Sequence, residues 1–253
     1  MLKAAYHRLV PDRIRVPFGR ARRAAFDRLR RALVVSGPLP DAALRIRSQQ
    51  SPSVGDYLRA GRASAESLRR IVAGAGIAST RRARILEIGC GTARTLRHLR
   101  QTAWELHGFE PDPESARWAS AAFPSIRIES SAPDPPLPWP SGRFDVVFAP
   151  SLLPHLPPAR LPEWRDELAR LLPAGGLALL GSLGPAAEGA RPSPIPAEGL
   201  ARDRSGEPND EISRTAFQSP HGIAQAMAPR FEMLRWEERA LEGLYDLTLL
   251  RRC

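Results

Sequence analysis

The chain has 253 residues, 25% of them charged, and a formal net charge of +10. This length suits one α/β core of ~200 residues with additional segments. No apolar run reaches ~18 residues, so we expect no membrane-spanning helix. The two cysteines, Cys90 and Cys253, imply neither a disulfide framework nor a metal cluster. Because the N-terminus lacks the apolar stretch of a secretory leader, we expect a cytoplasmic protein.

Positive charge is concentrated at the N-terminus. Residues 1–35 contain ten basic and two acidic side chains, which give +8 of the net +10. Apolar residues recur at helical spacing within 19–35, a pattern typical of a basic amphipathic helix. Two interpretations remain open: a solvated helix that caps the core, or a peripheral contact with an anionic membrane surface. We expect no nucleic acid partner, because aromatic residues are too sparse for a stacking platform.

The next segment, 36–80, is predicted to form accessory helices that precede the core. Two prolines end the basic helix, and the run at 51–55 makes a second turn. Short helices are expected at 57–60 and 64–75, because apolar side chains of the latter recur on one face.

A short apolar strand followed by two glycines predicts a nucleotide-binding turn. The strand, formed by Ile85, Leu86 and Ile88, leads into Gly89 and Gly91, which permit a tight turn with room for a ligand. A helical run is expected from Thr92. The next predicted strand ends at Glu110. Since the carboxyl ends of neighbouring parallel strands line one crevice, an acid at this position can accept hydrogen bonds from both hydroxyls of a ribose.

One position separates two families that use such a turn. A dinucleotide fingerprint requires a small residue where this chain has Arg94. The segment 84–94 instead resembles motif I of class I S-adenosylmethionine-dependent methyltransferases, E-x-G-x-G-x-G. Glu87 and both glycines are in place, and Ala93 stands where the third glycine usually does.

The resemblance continues in the family's order along most of the chain. Further similar segments are 107–119, 136–149, 151–156 and 167–180. They imply an α/β, Rossmann-like class I methyltransferase fold, with a seven-stranded, mostly parallel sheet, an antiparallel last strand and helices on both faces. Residues 56–68 are similar to a helix pair that closes over the cofactor in a bacterial small-molecule subgroup, so a lid is expected within 36–80.

The composition changes after the fifth predicted strand. Residues 184–218 are rich in Pro, Gly, Ala and charge, and we expect a loop insertion there. A helix at 219–227 and paired strands at 231–236 and 244–250 should complete the core. The predicted organisation is a basic helical segment (1–35), accessory helices (36–80) and a cofactor-binding core (81–253) that contains the insertion.

The resemblance implies S-adenosyl-L-methionine as the cofactor and a set of residues that contact it. That set comprises Glu87, Gly89, Cys90, Gly91, Glu110, Pro111, Ser131, Ala132 and Ser151. Ser131 occupies a position where many relatives have Asp. No His/Cys cluster and no paired carboxylates stand at ligand spacing, so we expect no metal requirement.

His155 is the best candidate for a catalytic general base. It follows the fourth predicted strand, beside the acceptor pocket of the resembled fold, and imidazole exchanges protons near neutral pH. The alternative is that it packs at the start of the next helix.

The resemblance implies methyl transfer to a small-molecule acceptor, such as a sugar, a lipid-linked intermediate or a secondary metabolite. An RNA methyltransferase is an alternative, although the chain has no N/D-P-P-Y/F motif and no separate RNA-binding module. Another alternative is a non-catalytic cofactor-binding partner protein, which the departures at Ala93 and Ser131 leave open. The acceptor atom and the oligomeric state are not indicated by the sequence.

Overall fold

The computed structural model describes residues 37–49, 52–75, 77, 82–184, 200–202, 216–243 and 245–253. The chain divides into two units, Met1–Leu39 and Pro40–Cys253, and nearly all described residues belong to the second. The predicted basic helix lies outside the described residues. None of the described helices is long and apolar enough to cross a membrane.

A seven-stranded sheet forms the centre of the second unit, in the order β3-β2-β1-β4-β5-β9-β8. Its strands are β1 (Arg84–Ile88), β2 (Glu105–Phe109), β3 (Arg127–Glu129), β4 (Val146–Ala149), β5 (Leu177–Ser182), β8 (Phe231–Leu241) and β9 (Tyr245–Arg252). The first five pair in parallel, and β9 runs antiparallel between β5 and β8. This topology confirms the predicted fold class. A separate pair, β6 (Leu200–Arg202) and β7 (Ala216–Gln218), lies within the predicted insertion.

Helices cover both faces of the sheet. They are α1 (Ala42–Gln49), α2 (Val54–Gly74), α3 (Pro113–Ala122), α4 (Leu152–His155), α5 (Leu161–Leu171) and α6 (Pro220–Met227). Ile85 and Val146 point to the face that packs on α2 and α3, whereas Leu86 and Val147 point to the face that packs on α5 and α6. This alternation buries both faces, as is usual for parallel sheets.

Side chains at the helix starts explain several boundaries. The Asp112 carboxylate caps α3 by accepting hydrogen bonds from the backbone N–H groups at 114 and 115, and Pro113 occupies the first turn. Ser219 caps α6 in the same way. The strand predicted at 231–236 is longer in the structure, where β8 continues to Leu241. Two register shifts against β9 occur along it.

The prediction of two short helices at 57–60 and 64–75 is wrong, because a single helix, α2, spans both. Ser53 caps it, its hydroxyl accepting from the Asp56 N–H at 3.2 Å. Gly61 does not interrupt the helix. A Cβ at this position would overlap the backbone carbonyl of Arg94, so the glycine permits close packing of α2 on the turn after β1.

The helical run expected from Thr92 is also wrong. Ala93 has a positive φ of 57°, outside the right-handed helical region, so no α-helix can continue through it. The chain forms turns there and a short 3-10 helix at Leu96–His98.

Candidate active site

The turn after β1 is fastened to the end of β2. Gly89 and Gly91 have φ angles of 73° and 55°, the left-handed region that glycine adopts without steric cost. The N–H groups of Gly89 and Cys90 both donate to the carbonyl of Phe109, at 2.8 and 3.0 Å. The backbone therefore folds back over the carboxyl edge of the sheet, where ligands of open α/β folds bind.

Glu110 lies beside this turn with its carboxylate fixed in position. Its Oε2 accepts from the Gly91 N–H at 2.6 Å, and its Oε1 accepts from the Asp112 N–H at 2.9 Å. Burial raises the pKa of Glu110, and these two hydrogen bonds oppose the shift. Each carboxylate oxygen can accept a further bond, so both remain able to accept from a vicinal diol such as a ribose.

Glu87 lies on β1 and is only 2% exposed. Burial raises its pKa to about 8, although a hydrogen bond from Thr95 and the positive charge of Arg94 oppose the shift. Its Oε2 has no hydrogen-bond partner within the described part of the chain. A buried oxygen of this kind would be satisfied by a donor group on a ligand.

Arg94 lies near the turn, where its positive charge acts on the Glu87 carboxyl. Its Nη2 lies 2.6 Å from Oε1 of Glu242, in the turn between β8 and β9. The Ser64 hydroxyl, from α2, donates to the same Glu242 oxygen at 3.1 Å. Arg94 Nη1 is buried and unpaired with any described residue. No sequence motif indicated Glu242, because its partner lies 148 positions earlier in the chain.

Helix α2 is attached to the turn by a second group of contacts. The hydroxyl of Tyr57 lies 2.8 Å from that of Thr92, and Arg97 donates to the Tyr57 oxygen at 3.2 Å. The Arg97 guanidinium stacks over the rings of Tyr57 and Phe123. These contacts fix the helix that the resemblance identified as a lid against the nucleotide-binding turn.

The Cys90 side chain packs into the protein rather than into the crevice. A Cβ on Gly108 would lie 2.6 Å from the Cys90 sulfur, so the thiol occupies the space above this glycine of β2. Burial raises the pKa of the thiol well above its usual range. The backbone of Cys90, rather than its side chain, therefore faces the crevice.

The segment after β4 brings Ser151 to the turn. Gly181 of β5 allows the carbonyl of Pro150 to pack directly on the strand. Ser151 follows, and its Oγ lies 3.7 Å from where a Cβ on Gly89 would be. His155 ends α4, one helical turn further along, and its side chain is exposed.

The other predicted contact residues lie at the rim. Pro111, Ser131 and Ala132 are all solvent-accessible, and the Ser131 hydroxyl donates to the Ala132 carbonyl at 3.3 Å. Asp134, three positions after Ser131, pairs with Arg160 at 2.8 Å. The structure thus brings Glu87, the glycine turn, Glu110 and Ser151 together. Pro111, Ser131 and Ala132 lie at the rim of this group.

A polar group that the sequence did not reveal lies where β5 ends and β9 begins. Ser182 pairs in register with Asp246, and Thr248 lies on the same face of β9. All three are fully buried, and Ser182 Oγ, Asp246 Oδ2 and Thr248 Oγ1 lack partners among the described residues. Burial raises the pKa of Asp246. No group of three metal-ligating side chains occurs in the described ranges.

The fold and this arrangement are typical of class I S-adenosylmethionine-dependent methyltransferases. Residues 85–176 match the family model described as a methyltransferase domain. The match covers the turn after β1, Glu110, and the strands up to the glycine turn before β5, so this part of the chain is a methyltransferase domain. A comparison with curated protein sequences finds no match.

Solved structures share the fold at low sequence identity. A putative methyltransferase from Haloferax volcanii, solved in complex with the Trm112 methyltransferase activator, aligns with a TM-score of 0.60 at 14% identity, over 85% of this chain and 99% of its own. The Burkholderia thailandensis 1,6-didemethyltoxoflavin-N1-methyltransferase, with 1,6-didemethyltoxoflavin and S-adenosylhomocysteine bound, aligns with a TM-score of 0.54 at 17% identity. The alignment covers 85% of this chain and 92% of that protein. A putative sarcosine dimethylglycine methyltransferase from Galdieria sulphuraria aligns with a TM-score of 0.55 at 14% identity, over 74% of this chain and 84% of its own.

Proposed function

We propose that this protein transfers the methyl group of S-adenosyl-L-methionine to a small-molecule acceptor, such as a sugar, a lipid-linked intermediate or a secondary metabolite. The observation that carries the proposal is the fixed Glu110 carboxylate beside the glycine turn, together with the unpaired buried oxygen of Glu87 on the neighbouring strand. Two of the aligned structures are named for small-molecule methyl acceptors.

Cofactor binding is assigned to the residues around the turn. Glu110 would accept hydrogen bonds from the ribose hydroxyls, and the backbone of Gly89, Cys90 and Gly91 would contact the adenosyl and methionine parts. Pro111, Ser131 and Ala132 lie in the loops expected to border the adenine, and Ser151 faces the turn. The bound sulfonium supplies an activated methyl group, so the protein contributes chiefly by holding donor and acceptor in line.

Acceptor binding is assigned to the other end of the sheet edge. His155 would take the proton that a hydroxyl or amine loses on methylation. The unpaired oxygens of Ser182, Asp246 and Thr248 favour an acceptor that carries O–H or N–H groups, because such donors would satisfy them.

Mass spectrometry of the purified protein tests this function. We expect retained S-adenosyl-L-methionine or S-adenosylhomocysteine, and transfer of a labelled methyl group to the small-molecule fraction of a cell extract. Labelling of the RNA fraction instead would favour the RNA methyltransferase alternative. Cofactor retention without transfer to either fraction would favour a non-catalytic binding protein.

Residues 1–35 are proposed as a peripheral contact with anionic membranes, on the basis of their +8 charge. Full-length protein should sediment with anionic vesicles at low salt, and protein lacking these residues should not. Binding of S-adenosylhomocysteine should be unchanged by the deletion, because the cofactor motifs begin at Arg84.

A further inference from the structure

One face of the sheet carries a group of buried polar atoms where β5, β9 and β8 are neighbours. The group consists of Ser182 Oγ, Asp246 Oδ2, Thr248 Oγ1 and Trp236 Nε1, and none of these atoms has a hydrogen-bond partner among the described residues. Ser182 pairs in register with Asp246, and Thr248 pairs with Trp236. Because paired residues share a face and every second residue of a strand returns to it, all four side chains lie on the same side of the sheet.

The Asp246 carboxylate in this group is held in position. Its Oδ1 accepts from the Arg239 N–H at 2.9 Å, in the part of β8 where the register against β9 shifts. Its Oδ2 lies against Gly184, where a Cβ would be only 1.4 Å from that oxygen, so a larger residue would displace the carboxylate. One oxygen therefore fixes the group, while the other keeps its capacity to accept a hydrogen bond.

The chemistry of these atoms restricts the ligand that could satisfy them. The indole N–H of Trp236 can only donate, and an ionised Asp246 can only accept. An ammonium group would satisfy Asp246 and leave Trp236 unpaired, whereas a phosphate or carboxylate would do the reverse and be repelled by Asp246. A hydroxyl both donates and accepts. Burial raises the pKa of Asp246, and a hydroxyl complements the protonated carboxyl as well as the ionised one.

The spacing of the group requires more than one hydroxyl. Strand β9 lies between β5 and β8, so Ser182 and Trp236 are two strand spacings apart, roughly 10 Å or more. Several hydroxyls on one carbon frame could reach atoms at both ends of this span. The group is also close to the proposed acceptor site, because α4, which ends at His155, contacts β5.

We propose that Ser182, Trp236, Asp246 and Thr248 form a subsite that binds neighbouring hydroxyl groups of a sugar or a similar polyol as the methyl acceptor. The inference rests on the proposed methyl transfer and narrows its acceptor to one chemical class. Trp236 would donate to a hydroxyl oxygen, and Asp246 would accept from a hydroxyl group. The alternative is a structural cluster whose polar atoms are satisfied by internal water molecules.

Periodate treatment of the acceptor pool tests the class of ligand. Periodate cleaves the carbon–carbon bond between neighbouring hydroxyl-bearing carbons and leaves isolated amines, carboxylates and isolated hydroxyls intact. The small-molecule fraction of a cell extract is treated, the reagent is quenched, and full-length protein and methyl-labelled S-adenosyl-L-methionine are added. We expect the treatment to remove most of the labelling seen with reagent quenched beforehand. Undiminished labelling would overturn the subsite, whereas no labelling even with quenched reagent would contradict the proposed function itself.

Three conservative variants test the residues. Asp246→Asn keeps an oxygen for the Arg239 N–H, Trp236→Phe removes the indole N–H, and Thr248→Val replaces a hydroxyl by a methyl group. We expect the labelling rate at dilute acceptor to fall about 10- to 100-fold for Asp246→Asn and about threefold to tenfold for the other two, the loss of a charge-assisted or a neutral hydrogen bond. Calorimetric titration with S-adenosylhomocysteine should show the wild-type affinity in each. Glu232→Gln, at an exposed position of β8, is the control and should change neither quantity.

Thermal unfolding distinguishes a ligand subsite from a structural cluster. Thr248→Val removes an unpaired buried hydroxyl from the free protein, so its melting temperature should be unchanged or higher while its labelling rate falls. In a cluster built on internal water, the same variant would lose hydrogen bonds, and its melting temperature would fall. That result, or wild-type labelling by all three folded variants, would overturn the subsite.

Discussion

The two halves of the candidate site differ in whether backbone groups or individual side chains form them. In the cofactor half, at β1 and β2, the turn donates to Phe109 and the Glu110 carboxylate accepts two backbone N–H groups. In the acceptor half, at β4, β5 and β9, His155 is exposed, and Ser182 and Asp246 have unpaired buried atoms. The comparison indicates that backbone hydrogen bonds fix the proposed cofactor half, although Glu87 and Arg94 there each keep one unpaired atom, whereas the proposed acceptor half consists of individual side chains.

The largest expected effect is on the free energy of unfolding, which the buried Glu87 carboxyl of the cofactor half should lower as it ionises. Its folded pKa of about 8 lies above the ~4.3 of an unfolded glutamate, so the folded state retains a proton that the unfolded state loses. Stability should therefore fall as pH rises from about 4.5 to about 8. Glu87→Gln should remove this dependence, and its advantage over wild type should reach a few kcal/mol near pH 8, since each pKa unit corresponds to ~1.4 kcal/mol.

Urea unfolding at pH 5, 6.5 and 8 measures this difference. Glu66→Gln, at an exposed position of α2, is the matched control and should stay parallel to wild type. The charges that face Glu87 are those of Arg94, Glu242 and Glu110, and they are the same in all three proteins. A Glu87→Gln profile parallel to wild type would show that the Glu87 carboxyl is not held protonated.

A smaller effect is expected on the binding of S-adenosylhomocysteine. It should distinguish substitutions in the cofactor half from those in the acceptor half. Glu110→Ala should weaken S-adenosylhomocysteine binding at least about tenfold, because it removes charge-assisted hydrogen bonds worth roughly 1.5 to 3 kcal/mol. His155→Ala and Asp246→Asn should leave this affinity within about twofold, since both residues belong to the acceptor half. Calorimetric titration of the folded variants provides the measurement. Unchanged binding by Glu110→Ala would remove Glu110 from the site and contradict the motif assignment.

The same division explains what the sequence could predict. The glycine turn, Glu110 and the Asp112 cap follow from local spacing, because each depends on backbone geometry within one strand-turn-helix unit. The ion pair between Arg94 and Glu242 could not be predicted, because register shifts in β8 decide which residue reaches the turn. The continuity of α2 was hidden for a related reason: Gly61 resembles a helix break until its neighbour in space is known.

The acceptor half was predicted less well, for a physical reason. Ser182 and Asp246 meet only through the antiparallel pairing of β5 and β9, and the two residues are separated by 64 positions in the chain. Nothing in the local pattern of either strand distinguishes a buried polar position from an exposed one. His155 was identified from its motif, yet its exposure leaves its catalytic role a prediction.

The smallest expected effect tests how the cofactor half accommodates Ala93. Its φ of 57° costs an alanine roughly 1 to 2 kcal/mol, which glycine would relieve. Against this, Ala93 is fully buried, so Ala93→Gly would lose ~0.8 kcal/mol of methyl burial and gain some unfolded-state entropy. These terms nearly cancel, and we expect Ala93→Gly to change the free energy of unfolding by less than about 0.5 kcal/mol. Ala93→Val, which adds volume and β-branching at a left-handed position, should instead destabilise by roughly 2 kcal/mol or more. Chemical denaturation of both variants measures these changes in the free energy of unfolding. A large loss of stability in Ala93→Gly would mean that the methyl contacts dominate. Unchanged stability in Ala93→Val would mean that the backbone is not left-handed at this residue.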